Sequence, residues 1–159
     1  MNVKILCVGK IKEKFFRDAI SEYSKRLSKY CNLEIIEVSD EKTSENASDI
    51  EISLVKSKEG ERILKHIKEK DFVIALAILG KQLDSVAFSK YIENLGISGH
   101  SSIVFVIGGS LGLSDEVMKR SDYQISFSEM TFPHQLMRVI LLEQIYRGMR
   151  IMNNEPYHK

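Results

Sequence analysis

The stretch SFSEMTFPHQLMR, residues 126–138, decides how the second half of the chain is arranged. It overlaps a short segment, residues 123–127, that we predict to be a strand. A long helical pattern begins at Pro133, and proline suits the first turn of a helix because no backbone N–H is needed there. The polar loop between strand and helix is therefore expected at the carboxyl end of a strand.

The stretch SIVFVIGGSLGL, residues 102–113, predicts another strand that ends at the same rim. Residues 103–107 are wholly apolar and rich in β-branched side chains, which is typical of a strand buried on both faces of a parallel sheet. Gly108 and Gly109 follow, and they let the backbone bend sharply and a ligand come close. Ligands of open α/β sheets bind beyond the carboxyl ends of the strands, so we expect a site here.

The rest of the chain alternates predicted strands with predicted helices. Strands are predicted at residues 2–8, 33–38 and 72–78, and helices at residues 12–30, at 50–68, at about 85–95 and, over one or two turns, after Ser114. This alternation indicates an α/β fold, a parallel sheet with helices on both faces. No repeat or long linker divides the 159 residues, so we expect one domain, residues 1–159.

Composition excludes several classes of protein. No apolar run is long enough to span a membrane, and the N-terminus lacks the apolar core of a signal peptide, so we expect a soluble, cytoplasmic protein with no membrane partner. Cys7 and Cys31 are too few for a zinc site or a disulfide framework, and we interpret them as free thiols in a reducing compartment. No H-E-x-x-H motif and no Cys/His cluster is present, so no metal is expected.

The charge is small but uneven. A formal net charge of +1 excludes a protein that holds nucleic acid mainly through bulk charge. Residues 1–30 nevertheless carry eight Lys and Arg against three Asp and Glu. We favour a solvated helix face as the interpretation of these cations, and an RNA-contacting face is the alternative. If RNA is the partner, its recognition must depend on shape or on a second subunit.

Known nucleotide-binding motifs are absent. The chain has no G-x-x-x-x-G-K-[ST], and its first strand is followed by Gly9-Lys10-Ile11-Lys12 where a dinucleotide fingerprint would stand. The later glycine cluster at residues 108–112 has the wrong spacing. A nucleotide- or NAD-binding α/β enzyme is therefore only our second hypothesis.

Few polar side chains remain as candidates for chemistry. His134 and Arg138 lie one helical turn apart on one face, and His134 suits a base or a structural role equally well. Glu129, in the preceding loop, is typical of a surface carboxylate. The ending Tyr157-His158-Lys159 would combine a stacking ring, an imidazole and a cation for RNA, although terminal residues normally fray.

Six motifs together resemble one known family over essentially the whole chain. They are VGK at 8–10, EYxKRL at 22–27, FVIGG at 105–109, SFSxMTFPHQxxR at 126–138, EQxYR at 143–147 and YHK at 157–159. The S-x-M-T-F-P-H-Q segment and the Y-H-K ending are the most specific. On these motifs the chain resembles the RlmH family, SPOUT-class methyltransferases of the large ribosomal subunit.

The resemblance implies more than composition could show. It implies a trefoil knot in the C-terminal part and a homodimer with cofactor pockets near the subunit interface. The implied reaction transfers the methyl group of S-adenosyl-L-methionine to N3 of a pseudouridine in helix 69 of 23S rRNA, on the assembled ribosome. Carried over by position, cofactor contacts fall on Leu76, Gly108, Phe127, Ser128, Glu129, Met130, Thr131 and Phe132.

The resemblance also places Tyr157 and His158 at the methyl-acceptor side. His158 is then the candidate that helps N3 lose its proton, with Arg138 or Lys159 as electrostatic support. The predicted catalytic residues are therefore His158, Tyr157 and Arg138. A non-catalytic ribosome-binding factor with the same fold is the third hypothesis.

The residues agree with this resemblance and also depart from it. Leu76, Gly108 and Phe127 each lie near the end of a predicted strand, and three neighbouring strand ends would form one pocket with apolar walls and backbone donors. The departures are Ala77, Val86 and Leu111, where members of the family often carry other residues. They concern the rim of the cofactor site.

Overall fold

A computed structural model describes residues 1–159 as five strands and five helices. The strands are β1 (Asn2–Val8), β2 (Asn32–Val38), β3 (Phe72–Gln82), β4 (Ser102–Ile107) and β5 (Tyr123–Ser126). The helices are α1 (Lys14–Leu27), α2 (Asp49–Leu64), α3 (Ser85–Ile97), α4 (Asp115–Arg120) and α5 (His134–Met152). The predicted alternation is confirmed, and most element ends differ from the prediction by only a few residues.

The five strands form one parallel sheet in the order β2-β1-β4-β3-β5. Apolar side chains of β1 alternate between its two faces, because successive side chains of a strand point in opposite directions. Ile5 belongs to a core cluster built with α1, α3 and α5, whereas Leu6 belongs to a second cluster built with α2 and α4. The predicted sheet with helices on both faces is therefore confirmed.

Side-chain caps explain where three helices begin. Ser48, Asp84 and Ser114 each accept a hydrogen bond from the backbone N–H three residues ahead, which satisfies one of the free donors of a first helical turn. Gly60 lies inside α2, where glycine is unfavourable for the helix, but its small size is needed for packing. A Cβ there would lie 2.3 Å from Oγ of Ser114, so the missing side chain lets α2 approach α4.

Strand β3 extends beyond its predicted end at residue 78. Its pairing with β5 changes register, because Leu76 and Lys81 are both aligned with Ile125. Residues 77–80 therefore form an excursion from the strand, which we call the β3 excursion. A Cβ on Gly80 would lie 2.7 Å from the carbonyl carbon of Ile125, so glycine is needed where the excursion returns to the sheet.

None of the five helices combines the length and the apolar character of a membrane-crossing segment.

Candidate functional site

A cavity of about 900 Å³ opens at the carboxyl ends of β4, β3 and β5, which are consecutive strands of the sheet. Its volume suits a small-molecule ligand. Leu76, Gly108 and Phe127 all line it, so the predicted meeting of three strand ends is confirmed. The lining consists of residues 76–79, 107–113, 124–128 and 130–134, with Lys56, Met118 and Met137.

The cavity wall carries little side-chain charge. No Asp or Glu lines it, and Lys56 contributes its only ammonium group. Burial and the nearby guanidinium of Arg138 lower the pKa of His134, which therefore lines the wall as a neutral imidazole near pH 7. A ligand in this cavity must be held mainly by apolar contacts, hydroxyl groups and the main chain.

The glycine turn after β4 brings its main chain to the cavity. The backbone N–H of Gly112 donates to the carbonyl oxygen of Gly109 at 3.1 Å, and Gly112 has a φ of 86°. A Cβ on Gly108 would lie 2.8 Å from the carbonyl carbon of Gly112. The turn therefore closes tightly on itself, which only residues without a side chain permit.

The loop after β5 forms the opposite wall. Oγ of Ser126 donates to the carbonyl oxygen of Ser128 at 3.0 Å, and Oγ of Ser128 accepts from the N–H of Met130 at 3.0 Å. These local bonds give the loop a fixed shape. Among the residues expected to contact a cofactor, Phe127, Ser128, Met130, Thr131 and Phe132 line the cavity. Glu129 is exposed and lies outside the lining.

The C-terminal tail folds back on α5 and is well ordered. The hydroxyl of Tyr157 donates to Glu143 at 3.1 Å, and the guanidinium of Arg147 lies 4.7 Å from the centre of the Tyr157 ring. Nη1 of Arg147 also lies 3.3 Å from Nδ1 of His158. Burial and the bond to Glu143 raise the pKa of Tyr157 to about 12, so this phenol stays protonated.

A second cluster fixes the tail one turn further along. Glu155 accepts from Lys29 at 3.0 Å, from Arg150 at 2.5 Å and from the hydroxyl of Tyr30. Arg150 also donates to the carbonyl oxygen of Pro156 at 2.9 Å. These bonds leave the tail little freedom to fray.

The tail and the cavity lie at different ends of α5. His134, the first residue of α5, lines the cavity, whereas Tyr157 and His158 contact Glu143 and Arg147. At 1.5 Å of rise per residue, those contacts lie roughly 14–20 Å along the helix axis from His134 and roughly 9–15 Å from Met137, which also lines the cavity. Within one chain, the tail's contacts therefore lie beyond the part of α5 that lines the cavity.

A family profile described as "Predicted SPOUT methyltransferase" matches residues 1–158. The chain belongs to this family. SPOUT methyltransferases use S-adenosyl-L-methionine as the methyl donor. Among curated SPOUT relatives, "Ribosomal RNA large subunit methyltransferase H" of Clostridium kluyveri is 60% identical and that of Clostridium botulinum is 63% identical, each over 159 residues and the full length of both chains. A "Putative ribosomal RNA large subunit methyltransferase H" of Methanococcus maripaludis is also 63% identical over the same span.

Solved structures share the SPOUT chain's fold at low identity. A probable methyltransferase from Bordetella pertussis has a TM-score of 0.57 at 11% identity, covering 93% of this chain and 96% of its own. A probable methylase family protein from Haemophilus influenzae has a TM-score of 0.55 at 12% identity, covering 99% of this chain and 70% of its own. These likenesses concern the fold alone.

Arg138 has a structural position in this SPOUT chain. Its guanidinium is 2% exposed; it donates to Glu37 at 2.6 Å and to the carbonyl oxygens of Val8 and Gly9 at 2.9 and 2.7 Å. It is not among the cavity-lining residues. These contacts occupy two of its three nitrogens and join the start of α5 to the end of β1. The geometry therefore gives no support to its expected role beside the acceptor.

Sequence reasoning missed two residues that line the cavity of this SPOUT chain and one that is buried beneath it. The exposed pair Ile78 and Leu79 forms part of the wall because β3 bulges out, which its apolar pattern did not reveal. Glu59 is buried under the glycine turn, where a Cβ on Gly109 would lie 3.4 Å from its carboxylate. Burial raises the pKa of Glu59, although the N–H of Glu41 donates to it. A lone glutamate in a charged helix gave no local signal of this position.

Proposed function

We propose that this chain methylates N3 of a pseudouridine in helix 69 of 23S rRNA on the assembled ribosome, with S-adenosyl-L-methionine as donor. The observation that carries the proposal is the weakly charged cavity at three adjacent strand ends, found in a chain 60–63% identical over its full length to rRNA large subunit methyltransferases H. We further propose that residues 1–159 act as one domain in the cytoplasm.

The cavity residues fit this cofactor. Leu76 and Phe127 offer apolar walls for an adenine ring, and the main chain at Gly108 can approach the ligand without a side chain between them. Ser128 and residues 130–132 would bind from the loop side. When bound, the cofactor supplies a methyl group activated by its sulfonium. Because no carboxylate lines the cavity, the cofactor would be bound by complementary shape and by hydrogen bonds to backbone groups.

The tail supplies the groups suited to the acceptor. N3 of the base must lose a proton, and the imidazole of His158 beside Arg147 is the candidate acceptor for it. The phenol of Tyr157 stays protonated, so it positions its neighbours by donating to Glu143 and is not itself a base. Lys159 is exposed and free to support negative charge developing on the base.

A homodimer follows from the distance between the tail and the cavity. Within one chain, the tail's contacts on α5 lie roughly 9–20 Å along the helix axis from the residues of that helix that line the cavity. A second copy can place its tail at the cavity mouth of the first chain, which makes each site a product of two chains. The proposal therefore includes a dimer in which donor and acceptor groups come from different subunits.

Subunit mixing tests this arrangement. A chain with His158→Ala is mixed and refolded in equal amounts with a chain carrying a cavity substitution, Gly108→Val. If the tail acts in the partner's site, half of the dimers are mixed and each has one intact site, so about a quarter of wild-type activity returns. If the tail serves its own chain, no intact site forms and activity stays near zero. That outcome would contradict the shared site.

We also propose the trefoil knot in the C-terminal part. The path of the chain supports it: β5 lies at one edge of the sheet, yet α5 begins beside β1, where Arg138 contacts Val8 and Gly9. Residues 127–133 must therefore cross the ends of β3 and β4, between the β3 excursion and the glycine turn. A crossing of this kind is what a threaded chain requires.

The decisive experiment is mass spectrometry of 23S rRNA from ribosomes that lack the modification, after incubation with this protein and S-adenosyl-L-methionine. One added methyl group on the helix 69 pseudouridine is expected. An unmodified base, with the protein still bound to ribosomes, would instead support a non-catalytic ribosome-binding factor. Because the net charge is only +1, an isolated helix 69 fragment should be a much poorer substrate than whole ribosomes.

A further inference from the structure

We infer that the segment from Lys10 to Arg17, which joins β1 to α1 and forms its first turn, is an RNA-contacting surface beside the cavity. We call it the β1–α1 knuckle. It would bind phosphates through Lys10 and Lys12 and stack an unpaired base on Phe15. This inference rests on the proposed rRNA substrate and names the surface that receives the RNA flanking the acceptor base.

The knuckle lies at the rim where the acceptor must arrive. β1 is the neighbour of β4 in the sheet, so the loop after β1 is beside the glycine turn. A Cβ on Gly109 would lie 3.1 Å from Val8, and a Cβ on Gly9 would lie 3.8 Å from Nε2 of His134, a cavity-lining residue. Lys10 follows Gly9 directly, within about 3.8 Å between Cα atoms.

The backbone of the knuckle is held in place by long-range hydrogen bonds. Arg138 donates to the carbonyl oxygens of Val8 and Gly9, and its partner Glu37 also accepts from the N–H of Ile11 at 3.0 Å. Arg17 donates to the carbonyl oxygen of Lys12 at 2.9 Å. A binding surface gains affinity when its loop is ordered before the partner arrives.

The side chains on this fixed backbone suit RNA. The eight residues carry four basic groups against one acidic group, Glu13. Lys10 and Lys12 are exposed and form no ion pair, whereas Lys14 is paired with Asp18. Phe15 is 66% exposed, an unusual position for an aromatic ring among cations. Exposed aromatic rings interleaved with cations are the feature that single-stranded RNA recognition uses.

Charge complementarity favours RNA over a second copy of this chain as the partner of the knuckle. A second copy of this chain would bring a surface of nearly balanced charge, since the whole chain carries only +1. The phosphates of RNA neutralise the local excess of three positive charges, and an unpaired base of the same RNA can stack on the ring of Phe15. RNA is therefore the partner that satisfies both features.

The lysines are tested by ribosome binding without cofactor. Lys10→Gln with Lys12→Gln should weaken binding about tenfold and lower the slope of log affinity against log salt by about 1–2. The cofactor affinity, measured by calorimetry, should stay unchanged. The matched control is Lys65→Gln with Lys70→Gln, two exposed lysines between the end of α2 and the start of β3, at the amino ends of the strands, which should bind as wild type does.

The ring is tested by a pair of substitutions. Phe15→Leu keeps an apolar side chain but loses the stacking face, and binding should weaken about fivefold, whereas Phe15→Tyr should retain wild-type affinity. Ile97→Ala truncates another exposed apolar residue, 77% exposed, at the end of α3 ahead of β4, and should change nothing.

Two outcomes would overturn the inference, and a third would separate it from the proposed function. If all knuckle variants bind ribosomes with wild-type affinity, the knuckle does not contact RNA. Dissociation of the dimer by Phe15→Leu, seen by sedimentation, would assign the ring to a contact between copies. If wild-type protein binds ribosomes through the knuckle but transfers no methyl group, the proposed function fails while the inferred surface stands.

Discussion

The two ends of α5 differ in how they use charge. Near its start, the buried Arg138 pairs with the exposed Glu37 and fixes the backbone at the end of β1, and the cavity nearby is lined by glycines, hydroxyls and apolar side chains. At its last turns, the half-buried Arg147 and Arg150 form ion pairs and hydrogen bonds that order the tail. Backbone shape therefore defines the donor cavity, and side-chain networks define the tail.

This difference fits the proposed division of the site between a cavity for the cofactor and a tail for the acceptor base. The cavity end is rigid because its shape depends on main-chain contacts that tolerate no added atoms. The tail end depends on hydrogen bonds and ion pairs on a helix surface, which are individually weak. The following four experiments test this contrast.

Arg138→Met tests whether the buried charge at the cavity end is structural. The free energy of unfolding should fall by about 2–4 kcal/mol, because two buried carbonyl oxygens lose their donor, whereas Glu37 is exposed and can be hydrated. Urea denaturation measures this. Arg26→Met, which removes an exposed pair with Glu22, should cost less than about 0.5 kcal/mol. A stable Arg138→Met protein without methyl transfer would support the predicted catalytic role of Arg138.

Gly108→Ala tests whether backbone shape defines the cavity. The added Cβ meets the main chain of Gly112, so the turn must open, and affinity for S-adenosyl-L-methionine should fall about 100-fold, or about 2.8 kcal/mol. Calorimetry measures the affinity. In the control Gly148→Ala, the Cβ lies 3.7 Å from Ser89, an ordinary contact in a helix, and stability should rise by up to about 1 kcal/mol. If Gly108→Ala binds the cofactor as tightly as the wild type does, backbone shape at the glycine turn does not define the cavity.

Tyr157→Phe tests the tail network. Glu143 loses a donor, the ring and His158 lose part of their positioning, and kcat should fall about tenfold, or about 1.4 kcal/mol, while cofactor affinity stays unchanged. Steady-state methylation of ribosomes separates kcat from KM. Tyr91→Phe, whose ring packs on Tyr123 elsewhere in the fold, should leave kcat unchanged. A changed cofactor affinity in Tyr157→Phe would place the tail in the donor site.

His134→Asn tests the neutral imidazole at the cavity and has the smallest expected effect. Since burial and Arg138 lower the pKa of His134 in the folded state, the unfolded chain binds the proton more readily. Wild-type stability should therefore fall from about pH 7.5 to about pH 5.5, through the ordinary His pKa of about 6.5. The variant should lose part of this dependence in urea denaturation. His66→Asn, an exposed histidine, should keep the wild-type dependence.

Local patterns predicted the elements and the adjacency of three strand ends because burial on both faces leaves a continuous apolar run in the sequence. They did not predict the pairing of Arg138 with Glu37, which joins residues 101 positions apart. They also did not reveal that the tail contacts the far half of α5, since side-chain networks have no periodicity. For that reason, the prediction of Arg138 as electrostatic support took no account of its pairing with Glu37.

The β3 excursion has a consequence for how this site can vary. Both of its flanks, Leu76 and Lys81, align with the same residue of β5, so the strands before and after it keep their places whatever lies between. Residues could be inserted or removed at 77–80 without shifting the hydrogen-bond ladder of the sheet. The length of residues 77–80, which form the outer wall of the cavity, can therefore change independently of the sheet. A longer or shorter segment would alter the depth of the cavity while the strand ends at its base keep their positions.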